Sequence, residues 1–228
     1  MTRLSDEFRR SLAKMAASYQ ASLQADSSAA QAARNYLLGR GIDASVSSHY
    51  QLGLVNTEFD EHASYAGWLC FPYSTKQGGV VSLKFRDLSP AGGEKKYISP
   101  YPTRLYNTLA LDAADRCGYV CICEGEFDTI TLDALVGLPG ESPAVGIPGA
   151  ETWTAHPEWA ELFRGYKRVY VFEHDDPPNK VTGKIPGREL SKSILKAVDT
   201  ATIIRLPAKD VNETYMKHGA NVIRERIQ

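Results

Sequence analysis

Two hydrophobic rhythms run along this chain, and the first gives way to the second near residue 117. From about residue 5 to 40 the sequence is rich in alanine and its apolar positions recur at helical spacing. Ser27 or Ser28 is placed to N-cap a helix that runs to Leu38, and Gly41, just after Arg40, marks its stop. A short polar stretch from Asp43 leads into Tyr50–Val55. Tyr65–Tyr73 and Val80–Arg86 then read as strands, with Gly78-Gly79 as the hairpin turn between them. Lys95–Ser99 is a further short strand, closed off by Pro100 and Pro102.

Beyond Cys117 short continuous apolar runs alternate with helical patterns. Tyr119–Cys123, Pro143–Ile147, Arg168–Phe172 and Thr202–Leu206 are the strands. Phe127–Leu138, a segment around Pro157–Phe163, and Arg188–Val198 are the helices. Strands without polar alternation, separated by helices, predict an α/β fold with a mainly parallel sheet flanked by helices on both faces. The expected division is a mixed α/β N-terminal subdomain over residues 1–116 and an α/β subdomain over 117–228 that ends in a helical tail.

A chain of 228 residues can bury a substantial core. The net charge of −1 gives no bulk hint of nucleic-acid binding. There is no signal-peptide pattern and no run of eighteen apolar residues, so the reading is a soluble, cytoplasmic protein with no membrane partner. Cys70, Cys117, Cys121 and Cys123 form no CxxC pair. They read as reduced thiols buried in strands rather than as a zinc site, which also suits a cytoplasm.

The chemistry concentrates in carboxylates. Glu124-Gly125-Glu126-Phe127-Asp128 follows the first strand of the second half, Glu173-His174-Asp175-Asp176 follows the third, and Asp210-Val211-Asn212-Glu213 lies beyond the fourth. In a parallel sheet all strand C-termini share one edge, where ligands bind. Acids converging there repel unless cations lie between them, and carboxylate oxygens are what Mg²⁺ or Mn²⁺ takes. Any one cluster alone is better explained by helix capping, and for Glu126, Asp176 and Glu213 a cap is as good a reading as a metal role. Three clusters at equivalent strand ends favour a metal site for phosphoryl chemistry. His174 reads as a spacer between acids.

Local charge adds a second feature. Between Ser74 and Tyr106, Lys76, Lys84, Arg86, Lys95, Lys96 and Arg104 outnumber Asp87 and Glu94. Lys84 and Arg86, two apart on a strand, point to one face. Such a face either solvates a strand or binds phosphates.

Cys121-Ile122-Cys123-Glu124-Gly125-Glu126-Phe127-Asp128 resembles the first motif of the TOPRIM domain, in which a strand ends in Glu-Gly and an Asp follows four residues after the Glu. Glu173-His174-Asp175 is similar to the second motif, Asp-x-Asp, with Glu in place of the first Asp. Ala208-Lys209-Asp210-Val211-Asn212-Glu213 is similar to a third acidic element of primases. Ahead of these, Tyr36-Leu37-Leu38-Gly39-Arg40-Gly41-Ile42 followed by Tyr50-Gln51-Leu52-Gly53 resembles the start of the DnaG-type polymerase core. Gly79–Asp87 is similar to the basic strand of primases fused to phage helicases, and Lys95-Lys96-Tyr97-Ile98-Ser99-Pro100 to a further DnaG element. The resemblance covers nearly the whole chain.

It implies a TOPRIM fold preceded by a primase-type subdomain, and a DNA primase of DnaG or phage type that makes short RNA primers on single-stranded DNA by two-metal nucleotidyl transfer. Glu124, Asp128 and Asp175 would be catalytic, and Glu124, Glu173, Asp175 and Asp210 would hold Mg²⁺ or Mn²⁺. Lys84, Arg86, Lys95 and Lys96 would bind template or ribonucleoside triphosphate. The zinc ribbon, helicase and C-terminal bundle of relatives are not recognisable, so a replicative helicase or a separate primase subunit in a bacterial or phage-infected cell is expected to supply them, or a longer parent chain does. The rivals are a TOPRIM nuclease and a degenerate primase domain that binds single-stranded DNA and a helicase.

Overall fold

A computed structural model describes residues 4–75, 79–89, 96–137 and 143–227. The chain divides into two compact units, Met1–Arg104 and Leu105–Gln228.

The first unit begins with α1 (Asp6–Gln24), N-capped by the Ser5 side chain, which accepts from the Phe8 N–H. Leu12, Met15, Ala16, Tyr19 and Leu23 are its buried residues, spaced as one face of a helix requires. Helix α2 (Ser28–Leu38) starts at the Ser27 cap, and the chain leaves it through Gly41 with φ of 79°. A short helix, α3 (Ala44–His49), is capped by Asp43 where the sequence reads only as a polar stretch. Strands β1 (Gly53–Leu54), β2 (Leu69–Ser74), β3 (Val80–Arg86) and β4 (Tyr97–Ile98) form an antiparallel sheet in that order. Leu12, Met15, Tyr19, Val55, Cys70, Val80, Leu83 and Phe85 share one core cluster, in which α1 covers the sheet. The approach is tight enough to demand glycine at position 53. A Cβ there would lie 2.6 Å from the Tyr19 Cβ.

The second unit contains α4 (Leu111–Cys117), β5 (Tyr119–Glu124), α5 (Glu126–Ile130), β6 (Ala144–Ile147), α6 (Thr152–Ala155), β7 (Arg168–Phe172), α7 (Pro186–Ala197), β8 (Ala201–Ile204), α8 (Val211–His218) and α9 (Ala220–Arg224). The four strands pair in the order β6-β5-β7-β8, every pairing parallel, which is the expected sheet. Alternate residues feed opposite cores. Val120 and Ile122 join Val169, Val171, Trp153, Phe163 and Ile194 on one side, while Cys121 and Cys123 join Tyr170, Phe172, Leu132, Val211 and Ile223 on the other. Burial on both faces is why these strands carry no polar alternation. The helix expected over 127–138 is split into α5 and a π-helical turn over Thr131–Val136, and the segment at Pro157–Leu162 is a 3₁₀ helix. The division between units falls twelve residues before the boundary placed from the sequence, because Leu105, Ala110, Leu111 and Ala114 belong to the second unit's core.

All four cysteines are free thiols; Cys70, Cys121 and Cys123 are buried in strands as expected, whereas Cys117 is half-buried at the end of helix α4. Among the described residues no helix is long and apolar enough to cross a membrane.

Candidate active site

Parallel pairing brings Glu124, at the end of β5, to the same sheet edge as the residues after β7 and before α8. Gly125 follows with φ of 79° and ψ of 176°, a backbone state glycine adopts freely, so α5 can start at once and bring Asp128 back toward the edge. Asp128 is buried. Its Oδ2 accepts the Val211 N–H at 3.2 Å and its Oδ1 the Asn212 N–H at 3.0 Å, so it serves the N-terminus of α8. The Asp128 Oδ2 also pairs with His174 Nε2.

After β7 the backbone alternation sorts the Glu173-His174-Asp175-Asp176 run into two pairs. His174 and Asp176 turn toward Glu124. His174 Nδ1 lies 3.9 Å from Glu124 Oε2 and 3.9 Å from Asp176 Oδ2. Glu173 and Asp175 engage arginines instead: Glu173 Oε1 accepts from Arg205 Nε at 2.9 Å, and Asp175 Oδ1 from an Arg188 guanidinium nitrogen at 2.8 Å. Asp175 is exposed, with 64% of its side chain accessible. The structure therefore brings together Glu124, Asp128, His174 and Asp176, and holds Glu173 and Asp175 in a separate ion-pair group. Asp210 N-caps α8 through the Glu213 N–H at 2.7 Å.

Gly187, in the first turn of α7, lies so close to His174 that no side chain fits at that position. A Cβ at 187 would lie 2.5 Å from the His174 carbonyl oxygen and 2.6 Å from its Cβ.

Electrostatics at this edge are coupled. Burial raises the Glu124 pKa, and the nearby Asp176 and Asp128 charges add to it against the opposing His174 and Ala150 N–H. Burial disfavours a charged His174, but the Asp128 charge and hydrogen bond, reinforced by Glu124 and Asp210, outweigh it and raise the imidazole to about 9. Burial and the Asp128 charge raise Asp210 as well. Lys209 Nζ, 2.7 Å from Asp176 Oδ1, is held above its ordinary value by that hydrogen bond.

The donor set suits a divalent cation. Glu124, His174 and Asp176 each offer a ligand atom, all within 4.8 Å of one another. Glu124 Oε2 is buried and makes no hydrogen bond, while Oε1 accepts the Ala150 N–H at 3.2 Å. Such an oxygen is costly to bury unless something electropositive meets it.

In the first unit, Lys84 and Arg86 project from one face of β3, as the spacing requires. Both are buried. Lys84 Nζ and the Arg86 guanidinium each lie 4.8 Å from the centroid of the Tyr97 ring on β4. Arg86 and Arg40 flank Tyr36 of α2 at 5.3 and 5.1 Å. Lys96 is exposed, and Lys95 lies outside the described residues. Three basic side chains thus gather around two tyrosines. Tyr36 was visible in sequence only as part of a helix end.

This architecture is that of the DnaG primase RNA polymerase domain. The domain from Mycobacterium tuberculosis, also known in complex with double-stranded DNA, superimposes with a TM-score of 0.74 at 19% identity, over 98% of this chain and 83% of that one. The primase fragment of the bacteriophage T7 primase-helicase superimposes with a TM-score of 0.61 at 19% identity, over 84% and 73% of the two chains. In sequence, the chain is 35% identical over 170 residues to the gene 57 protein of Mycobacterium phage D29, spanning 72% of this chain and 99% of that protein, and it belongs to that protein's family. No family profile matches it.

Proposed function

We propose that this chain is the polymerase core of a DNA primase, joining ribonucleotides into short RNA primers on a single-stranded DNA template. The observation that carries this reading is the meeting of Glu124, His174 and Asp176 at the carboxyl edge of a parallel sheet, in a fold shared with DnaG polymerase domains. The second unit is read as a TOPRIM domain. In the reaction, a primer 3′-hydroxyl attacks the α-phosphorus of an incoming ribonucleoside triphosphate, and pyrophosphate leaves. Glu124, Asp176 and His174 are the residues to hold a divalent cation, Mg²⁺ or Mn²⁺. Bound there, it would neutralise phosphate charge and lower the pKa of a coordinated hydroxyl. Glu124 is the residue proposed to take up the hydroxyl proton. Asp128 orients His174 and the start of α8. Glu173 and Asp175, held by Arg205 and Arg188, are assigned a positioning role instead of the ligand role their motif implies.

Lys84 and Arg86, with Lys95 and Lys96 alongside in sequence, are proposed to bind nucleic-acid or triphosphate phosphates. Tyr36 and Tyr97 fix the two buried cations in place. A replicative helicase or a separate primase subunit is the proposed partner in a bacterial or phage-infected cell.

One observation favours a second reading. His174 with Asp128 and Lys209 with Asp176 balance the acids through the chain's own cations, as a non-catalytic domain that binds single-stranded DNA and a helicase would need. Incubation with single-stranded DNA, Mg²⁺ or Mn²⁺ and labelled ribonucleotides tests both. New short RNA supports the primase, binding without synthesis supports the second reading, and DNA fragments indicate a nuclease.

A further inference from the structure

A metal site in this fold made only of carboxylates would be indifferent to the nitrogen affinity of its ion. Here the residue that faces Glu124 and Asp176 is an imidazole. Asp128, an acceptor fixed by the Val211 and Asn212 N–H groups, faces Nε2 of His174. Asp128 therefore fixes one ring proton on Nε2, and Nδ1 is turned toward Glu124 Oε2 and Asp176 Oδ2, at 3.9 Å from each, so that an ion bound between them would take the place of the Nδ1 proton. This is the carboxylate–histidine–metal arrangement, in which an outer carboxylate sets the tautomer and orientation of a metal-binding imidazole. Donors bonded to one ion at about 2.0–2.2 Å lie roughly 3–4 Å apart, so the three groups need close by only a fraction of an ångström to share one. The buried Glu124 Oε2, which makes no hydrogen bond, points into the same space.

We infer that His174 is a direct metal ligand, and that the Glu124–His174–Asp176 site selects Mn²⁺ over Mg²⁺. The inference rests on the metal-dependent reading given above and deepens it. Mg²⁺ keeps a hard, near-octahedral shell of oxygens and dehydrates reluctantly, whereas imidazole nitrogen binds more strongly to the first-row transition ions. An Asp at position 174 would provide an all-oxygen site in the same place. Asp128 is a positioning residue in this scheme, since it acts through the imidazole.

The test uses the full chain and the ions themselves. Mn²⁺ is titrated in by following the electron-paramagnetic-resonance signal of the free aquo ion, and Mg²⁺ is then added in competition. Electron-spin-echo modulation of the bound Mn²⁺ is recorded for the wild type, His174→Asp and Glu124→Gln, each checked for folding by thermal melting. The expected result is ¹⁴N modulation in the wild type, its loss in His174→Asp, and a Mn²⁺ preference of tenfold or more that shrinks to a few-fold in that variant. Mn²⁺ that is weakened by Glu124→Gln yet shows no ¹⁴N modulation, or a preference unchanged in His174→Asp, would overturn the inference. So would Mn²⁺ binding that Glu124→Gln leaves unaltered. Should His174→Asp fail to fold, the wild-type ¹⁴N signal decides the ligand and the wild-type competition with Mg²⁺ decides the preference. Primer synthesis measured in parallel separates the two readings. Synthesis with an all-oxygen ion leaves the primase reading standing without the inference, and a nitrogen-ligated ion without synthesis leaves the inference standing without the primase reading.

Discussion

Asp128 grips the His174 imidazole with the same carboxylate that accepts the backbone N–H groups of Val211 and Asn212. One buried side chain thereby links the β5 end, the β7 end and the start of α8. Removing one partner of such a pair leaves the other charged and buried. Asp128→Asn keeps the shape but discards the charge, and it should lower the unfolding free energy by about 3 kcal/mol in urea titrations at neutral pH. A change within about 0.5 kcal/mol would mean that the pair contributes little.

Position 187 offers a test of His174 placement that leaves every side chain of the site intact. Gly187→Ala puts a methyl group 2.5 Å from the His174 carbonyl oxygen, which is backbone and cannot swing aside. Primer synthesis should fall roughly tenfold or more, as expected when a reacting group is displaced by a fraction of an ångström. The melting temperature and Mn²⁺ binding report whether the shift is local. Unaltered synthesis in a folded variant would show that this contact does not position the imidazole.

A pH dependence follows from His62 in the first unit. The ring is buried, with Nδ1 at 2.7 Å from the Tyr19 hydroxyl and Nε2 at 2.9 Å from the Tyr101 hydroxyl. Burial lowers its pKa below 6.5, and the Glu61 charge opposes that only in part. Between the folded and unfolded values the unfolded chain binds more protons, so stability is full above about 6.5 and is lost as the pH falls. Urea midpoints from pH 7.5 to 5 should drop more steeply for the wild type than for His62→Gln. Parallel profiles would remove His62 as the cause.

Lys84 and Arg86 can be tested together. Replacing both with Met keeps the apolar stems against Tyr97 and removes the charges. If they hold DNA phosphates, the slope of log affinity against log salt for single-stranded DNA should flatten by about 0.7 for each phosphate that is no longer neutralised. If they hold the triphosphate, the Michaelis constant for ribonucleotide rises while DNA affinity stays put. Unchanged values of both would confine the pair to stacking on tyrosines.

Much of the α/β half was legible because its central strands are buried on both faces, so that Tyr119–Cys123 and Val169–Phe172 stand out as unbroken apolar runs. Helix α3 was not, since six residues including three serines carry no amphipathic signal. At the site, Glu124 and Asp128 were readable from the strand–Glu-Gly–helix pattern. The run after β7 was ambiguous for a physical reason: residues 173 and 175 form one alternate pair and 174 and 176 another, and both contain acids. Which pair faces Glu124 depends on the register of β7 against β5 and on Arg188 and Arg205 capturing the other pair. None of that is local in sequence, and so His174 looked like a spacer. The shared face of Lys84 and Arg86 was readable, but their burial under Tyr97 depends on the antiparallel pairing of β3 with β4.

The central claim is that Glu124 works in nucleotide joining, and one measurement addresses it most directly. Wild-type protein and Glu124→Gln are incubated with single-stranded DNA, Mn²⁺ or Mg²⁺ and labelled ribonucleoside triphosphates, and the RNA products are resolved by length. The account predicts short RNA from the wild type and a reduction of about 100-fold in the variant, with no loss of melting temperature, because a carboxylate in repulsion with its neighbours has been neutralised. Short RNA made equally well by folded Glu124→Gln, or no RNA from the wild type with either ion, would contradict it.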